Sequence, residues 1–334
     1  MKLFNKWFVL MVAVLCLAAA GCPKKTAGPK TLKITLIAKS STNPVFLSAR
    51  TGAEAAAKDL SKKHNIKIVI DWRTPSTEDG QVQAQRISQA VNEGSNAILI
   101  SCSDASKVTN AINDAVDRGV PVMTFDSDAP ESKRFAFYGV DDIETGRLVM
   151  KELGKVMGGK GNIGILAGNQ NAPNLRKRVE GVKLEAKENF PGIKVVNVFY
   201  HAETPQDAAS AVVAANNANP EMNGWAMIGG WPLFTPTLLD LDPAKMKIVA
   251  VDALPVELAY VDKGVTPVLL AQPTYKWGYV SVEKIVDKVL LKKDVPVVNR
   301  MELVPVTKDT LGKWARQLKE WGFEGIDKKY LDMK

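Results

Sequence analysis

From Leu32 onward, short apolar runs alternate with longer stretches in which apolar residues recur every three or four positions. Ile34-Thr35-Leu36-Ile37 opens the series. Such short β-branched and aliphatic runs suit strands buried on both faces. A helix follows from Pro44 to about Ser61, Ala-rich along its packing positions and with proline in its first turn. The pattern then predicts a strand over Ile66 to Ile70 and a helix over Glu78 to Asn92. Ala97 to Ile100 reads as a strand and Ala105 to Asp117 as a helix stopped before Gly119. Val120 to Phe125 reads as the next strand. Strand and helix alternating through short links imply right-handed crossovers and a parallel sheet.

The alternation restarts after a hinge-like stretch at Gly139 to Asp142. Strands are expected at 162–167, 193–199, 225–228, 247–251 and 267–271, and helices at 173–189, 205–218, 232–240, 254–263 and 274–291. The fold class is therefore α/β, with two Rossmann-like doubly wound lobes in tandem. In such open sheets, ligands bind beyond the carboxyl ends of the strands. That rule collects a set of residues: Lys39, Asn43 and Phe46; Ser101 and Ser103; Asp126, Ser127 and Asp128; Asn169 through Arg176; Gly230-Trp231; Asp252; and Gln272. Carboxylates, amides and an arginine grip hydroxyls. Phe46 and Trp231 offer flat apolar faces to a sugar ring.

The first twenty-two residues bear on location. Lys2 and Lys6 precede fourteen uncharged residues, Trp7 to Ala20, and then Gly21-Cys22. Basic, apolar, then small residues is the order of a secretory signal peptide, and the apolar stretch is short for a membrane span of ~20 residues. Ala19-Ala20-Gly21-Cys22 resembles a bacterial lipobox, with Ala19 in place of the usual leucine. Residues 1–21 are then a leader, Cys22 carries lipid, and 22–31 form a Pro/Lys/Gly-containing tether. Ordinary cleavage near Ala20 would instead leave a soluble secreted protein. Only Cys102 remains in the mature body, so no intramolecular disulfide forms and the fold rests on its core. Cys102 itself reads as a buried thiol.

The full chain of 334 residues carries a net charge of +8; without Lys2 and Lys6 it is +6. The lysines are scattered along helices with no arginine-rich block, so nucleic acid is not an expected partner. The only two histidines, His64 and His201, have no partner at metal-ligand spacing. Gly158-Gly159-Lys160-Gly161 follows a helix and precedes a strand, the reverse of a phosphate loop. No nucleophile motif stands out. A binding protein without cofactor or metal is expected rather than an enzyme.

Six segments together resemble the periplasmic ribose/galactose-type sugar-binding proteins of ABC importers: Asn43-Pro44-Val45-Phe46, ILISCSD at 98–104, GVPVMTFDSDAP at 119–130, LRKRVEG at 175–181, IVAVDALP at 248–255 and LLAQPTYKWG at 269–278. The similarity runs from about Leu32 to Leu290. It implies the type I fold, with hinge crossings near Val140 to Asp142, Gln272 to Pro273 and about Asn299 to Glu302. The N-terminal lobe would comprise 32–140 plus 273–300, and the C-terminal lobe 141–272 plus 301–334. Carried onto this chain, Asn43 and Phe46 match first-lobe sugar contacts and Asp126 the carboxylate that binds two hydroxyls. Arg176 matches the second-lobe arginine, Asp252 a second-lobe carboxylate and Gln272 the hinge amide. Ser127, Ser101, Gly230 and Lys39 depart from ribose binders. Lys39 with Asp126-Ser127-Asp128 also resembles relatives that bind a furanosyl autoinducer.

The resemblance implies a small sugar or polyol as ligand and ABC permease subunits as partners. Together with the leader, it implies an exported protein in the periplasm or on the outer cell surface, lipid-anchored through Cys22 and acting as a monomer. Signal reception through the same closure is the alternative. The lac-repressor family shares the two lobes, yet no helix-turn-helix precedes residue 32.

Overall fold

A computed structural model describes residues 31–333. The leader, Cys22 and most of the tether lie outside the described residues.

Two six-stranded sheets organise the body. In the first, β1 (Thr31–Ile37), β2 (Lys67–Trp72), β3 (Ala97–Ile100), β4 (Val122–Phe125) and β5 (Ala136–Gly139) are parallel, and β11 (Val298–Arg300) joins the β5 edge, in the order β11-β5-β4-β3-β1-β2. In the second, β6 (Gly161–Ala167), β7 (Ile193–Tyr200), β8 (Gly224–Met227), β9 (Lys247–Val251) and β10 (Val268–Ala271) are parallel, with β12 (Val304–Val306) antiparallel to β10. Their order is β12-β10-β9-β8-β6-β7. Both sheets are covered on two faces, which explains their near-continuous apolar strands. Successive side chains alternate between faces. Ala97 and Leu99 enter one core, and Ile98 and Ile100 the other. In the second sheet Ile248 and Ala250 enter one core, Val249 and Val251 the other.

The helices are α1 (Pro44–His64), α2 (Gly80–Asn92), α3 (Ala105–Asp117), α4 (Asp142–Val156), α5 (Pro173–Asn189), α6 (Pro205–Ala218), α7 (Leu258–Asp262), α8 (Thr274–Val289), α9 (Leu311–Glu320) and α10 (Lys328–Asp332). Side chains of Asn43, Asp79, Asp104, Asp141 and Thr204 accept backbone N–H bonds at the starts of α1, α2, α3, α4 and α6. Paired glycines bring two helix pairs into close approach. A Cβ on Gly278 of α8 would sit 1.8 Å from Ala49 O of α1, and one on Gly146 of α4 would sit 2.0 Å from Arg178 O of α5.

The chain passes between the sheets three times: after β5, after β10, and between β11 and β12. This is the doubly wound, three-crossing α/β architecture the alternation and the resemblance imply. After the second passage, α8 returns to pack on α1 of the first lobe. After the third, Trp314 of α9 donates its indole N–H to Ala253 O of the second lobe at 2.8 Å.

Two expected helices are replaced. Over 232–240 there are two 3-10 turns, Trp231–Phe234 and Pro236–Leu238. Pro236 disfavours helix at the residue before it, and Thr235 is extended at φ −127°, ψ 160°. Over 254–263 a 3-10 turn at Pro255–Glu257 leads into the short α7. Strands β5, β11 and β12 were not anticipated; Gly139, read as hinge, closes β5. β11 and β12 are only three residues long, too short to show a period, and β12 contains Pro305 on a strand that pairs on one side.

Candidate functional site

The strand ends of both lobes converge on one small cavity. β1 delivers Lys39; the start of α1 delivers Asn43 and Phe46; the end of β4 delivers Asp126. From the other lobe come Asn174 and Arg178 of α5, Glu203 after β7, Trp231 after β8, Asp252 after β9 and Gln272 after β10. Trp277 of α8 completes the lining. The cavity measures about 30 Å³, far below the roughly 300 Å³ at which small-molecule sites begin, because polar groups of the two lobes already meet across it.

Asp126 and Asp252 occupy equivalent places, each just past a buried strand with a left-handed backbone, at φ 56° and 80°. Aspartate tolerates that conformation better than most residues. Each backbone N–H is held by the neighbouring strand, Asp126 by Tyr138 O at 3.1 Å and Asp252 by Leu270 O at 3.0 Å. Asp126 accepts from the Ser101 hydroxyl at 2.7 Å and from the Asn174 amide at 3.1 Å. Asp252 accepts from the Gln272 amide at 2.8 Å and from Gly230 N–H at 3.2 Å. Burial pushes both carboxyls above the usual range. Against it act Lys39 and Arg178 for Asp126, and the Gln272 bond and Arg178 for Asp252.

Arg178 is buried and braces three groups: Nε to Asp142 at 2.9 Å, Nη1 to Ile228 O at 3.1 Å and Nη2 to the Gln272 carbonyl at 2.9 Å. Burial alone would lower its pKa; Asp142, Asp126 and Asp252 outweigh that and raise it. A continuous relay thus runs from Asp142 through Arg178 and Gln272 to Asp252.

Lys39 sits at the meeting line of the lobes, only 2 % exposed. Its ammonium lies 3.3 Å from Glu203 of the second lobe and 3.5 Å from Glu78 of the first. Burial would discharge it, but Glu203, Glu78 and Asp126 together raise its pKa. For Glu203, burial is outweighed by Lys39, and its carboxyl is lowered. Glu78 goes the other way: burial dominates and its carboxyl is raised. Bare Gly168 makes room for Glu203, since a Cβ there would meet the Glu203 side chain at 2.7 Å.

Aromatic faces complete the walls. Phe46 stacks on Trp277 at 6.0 Å between centroids and meets Phe125 edge-on at 6.5 Å. Trp231 packs against the second-lobe core, with His201 edge-on at 5.0 Å. Gly229 lets the indole fold back, because a Cβ there would meet the Trp231 ring at 2.4 Å. Gly230, lacking the expected amide side chain, brings its backbone N–H to Asp252 instead.

Of the residues singled out in the sequence, Lys39, Asn43, Phe46, Asp126, Trp231, Asp252 and Gln272 line the cavity. Ser101 stands behind Asp126. Asn43 also caps α1, its side-chain oxygen accepting from Val45 N–H at 3.2 Å. Arg176 is a correction. It is exposed on the outer face of α5, beside Glu180 and Lys183. Arg178 takes the inward place. Two residues rotate a helix by about 200°, and the buried stripe runs through Asn174, Arg178 and Val182 at four-residue spacing. That stripe was available in the sequence. The strand-end set omitted Glu203, three residues past β7 and so within reach of the rule, and Trp277, which lies on a helix. Trp72 is a surface packing residue, with Arg50 5.5 Å over its ring. Cys102 is buried, and burial pushes its thiol up. Among the described residues no group of three or more His, Cys, Asp or Glu is arranged to hold a metal ion.

Residues 34–293 match the periplasmic binding protein domain family. The chain belongs to that family. It is 26% identical over 159 residues to the ribose import binding protein RbsB of Bacillus subtilis, covering 48% of this chain and 50% of that protein. It therefore spans about half the length of that relative. To RbsB of Salmonella typhimurium it is 25% identical over 286 residues, covering 82% of this chain and 90% of the relative. Its fold is similar to an ABC transporter solute-binding protein from Burkholderia graminis solved in complex with D-arabinose. The TM-score is 0.78 at 25% identity, covering 84% of this chain and 97% of that one. These periplasmic binding proteins are described by what they bind, not by a reaction, in keeping with a site that has carboxylates fixed by hydrogen bonds and aromatic walls.

Proposed function

We propose that this protein binds a small sugar or polyol between its lobes and delivers it to an ABC transporter permease. The observation that carries the reading is the joint construction of one cavity. Asp126, Phe46 and Trp277 come from one lobe, and Asp252, Gln272 and Trp231 from the other. Carboxylates fixed from behind accept sugar hydroxyls, and charged hydrogen bonds contribute about 1.5–3 kcal/mol each. Aromatic faces cover the apolar side of the ring. The ligand would take over the contact now made across the inner cleft by Asn174 to Asp126. Only a closed arrangement satisfies both lobes at once, so binding favours closure, and the closed surface is what the permease reads. The family relatives that bind ribose, and the arabinose-bound solute-binding protein, support a pentose-sized first ring.

The leader pattern supports export and lipid anchoring through Cys22, outside the cytoplasm. Replacing Cys22 with serine should move the protein from the membrane fraction to the soluble one; continued membrane retention would contradict the anchor. Ligand binding itself is tested by a thermal-shift screen against pentoses, hexoses, polyols and the furanosyl autoinducer. A ligand that binds only the folded state raises the melting temperature.

A further inference from the structure

A second, larger cavity of about 530 Å³ lies at the outer rim of the cleft. Roughly 300–1,000 Å³ is the range of small-molecule sites. Both lobes build it: Ser76, Thr77 and Glu78 from one, Asn169, Gln170 and Tyr200 from the other. The partition between it and the inner cavity is the Lys39–Glu203 ion pair. Glu203 lines both cavities, while Lys39 lines the inner one and touches Glu78 of the rim.

Glu78, its carboxyl raised by burial, lies 3.5 Å from Lys39 and shares a side-chain hydrogen bond with Glu203 across the cleft. The wall of the rim cavity holds a buried acceptor without a hydrogen-bond partner. His201 engages Ala202 O through Nδ1, and its buried Nε2 has no partner. Burial lowers the His201 pKa, so Nε2 of the neutral ring is an acceptor. An unpaired buried acceptor costs free energy that a hydroxyl donor would recover. Tyr200, 49% exposed, adds a broad aromatic face beside it. Hydroxyl donors around an apolar ring face describe a sugar.

Building on the proposed sugar-binding function, we infer that the rim cavity is a second subsite. The cleft takes a ligand longer than one ring, a disaccharide or other glycoside. Its first ring occupies the inner site. Its second, hydroxylated ring lies against Tyr200 and Gln170 and donates to His201, with the Lys39–Glu203 pair at the junction.

The test is calorimetric titration with matched probes: D-xylose and xylobiose, D-arabinose and arabinobiose, D-galactose and galactobiose. The same titrations are made on Gln170→Ala and Tyr200→Ala. In at least one pair the disaccharide should bind about tenfold more tightly than its monosaccharide. Each variant should lose most of that advantage and leave monosaccharide affinity unchanged. Monosaccharide binding that the second ring weakens or leaves equal overturns the subsite and spares the sugar-binding reading. So does a disaccharide advantage untouched by both variants. Failure of every sugar of either length overturns both.

Discussion

The Asn174 side-chain amide donates to Asp126 Oδ1 at 3.1 Å, so a helix of the second lobe ends on the carboxylate that closes a strand of the first. Asp126 is thereby both a candidate sugar contact and a cross-cleft anchor. Replacing it with asparagine keeps its size and its tolerance of a positive φ while removing the charge. Sugar affinity should fall by about 100-fold or more, the equivalent of two weakened charged hydrogen bonds. The circular dichroism spectrum should stay unchanged. Wild-type affinity in this variant would place the sugar elsewhere.

Arg178 and Arg176 separate two readings of one helix. Arg178→Ala leaves Asp142, Asp126 and Asp252 buried without their shared cation. Removing one partner of a buried ion pair costs about 3–5 kcal/mol. Denaturant unfolding should show a loss of that order, together with loss of sugar binding. Arg176→Ala should change neither by more than about 0.5 kcal/mol, as expected for an exposed position. Equal effects from both would contradict the placement of α5.

The glycines of the two close helix pairs should resist enlargement. Gly278→Ala drives a methyl toward Ala49 O, and Gly146→Ala toward Arg178 O. Alanine favours a helix by about 1 kcal/mol over glycine, but overpacking of about 1–3 kcal/mol or more opposes it. Both variants should melt below the wild type. The Gly146 variant should also weaken sugar binding, because it displaces the backbone of Arg178. An unchanged or raised melting temperature would contradict the close approach.

Asp142 makes stability depend on pH. Burial outweighs its pairing with Arg178 and raises its carboxyl from 3.8 to about 6. Between those values the folded protein keeps a proton that the unfolded chain has released. The associated stabilisation is complete below the unfolded value and is lost as pH rises through about 6, by up to about 3 kcal/mol. Asp142→Asn removes this term. The stability of wild type minus variant, measured by urea unfolding, should therefore fall between pH 4 and pH 7 and then level off. A difference independent of pH would contradict the raised carboxyl.

Much of this arrangement was legible in the chain. Alternating apolar runs located most of the strands because both sheets are buried on two faces, and the strand-end rule led to Asp126, Asp252 and Gln272. What stayed hidden depends on rotation and distance. Matching LRKRVEG by position points to Arg176, whereas the four-residue stripe through Asn174, Arg178 and Val182 points to Arg178. Glu203 lies just past β7 and was within reach of the strand-end rule, whereas Trp277 comes from a helix that returns to the first lobe and follows no strand end. The helix expected over 232–240 failed on Pro236, whose effect on Thr235 is local and could have been anticipated. The short strands β11 and β12 gain their place from pairing at sheet edges, which a three-residue pattern does not encode.

The most direct test of the account is calorimetric titration of the protein with pentoses, hexoses and polyols, alongside Asp126→Asn and Asp252→Asn, one carboxylate from each lobe. The account predicts one saturable site per chain for a particular sugar, with affinity sharply reduced in both variants. Heat from no sugar, or binding that survives either substitution intact, would contradict a single site built by both lobes.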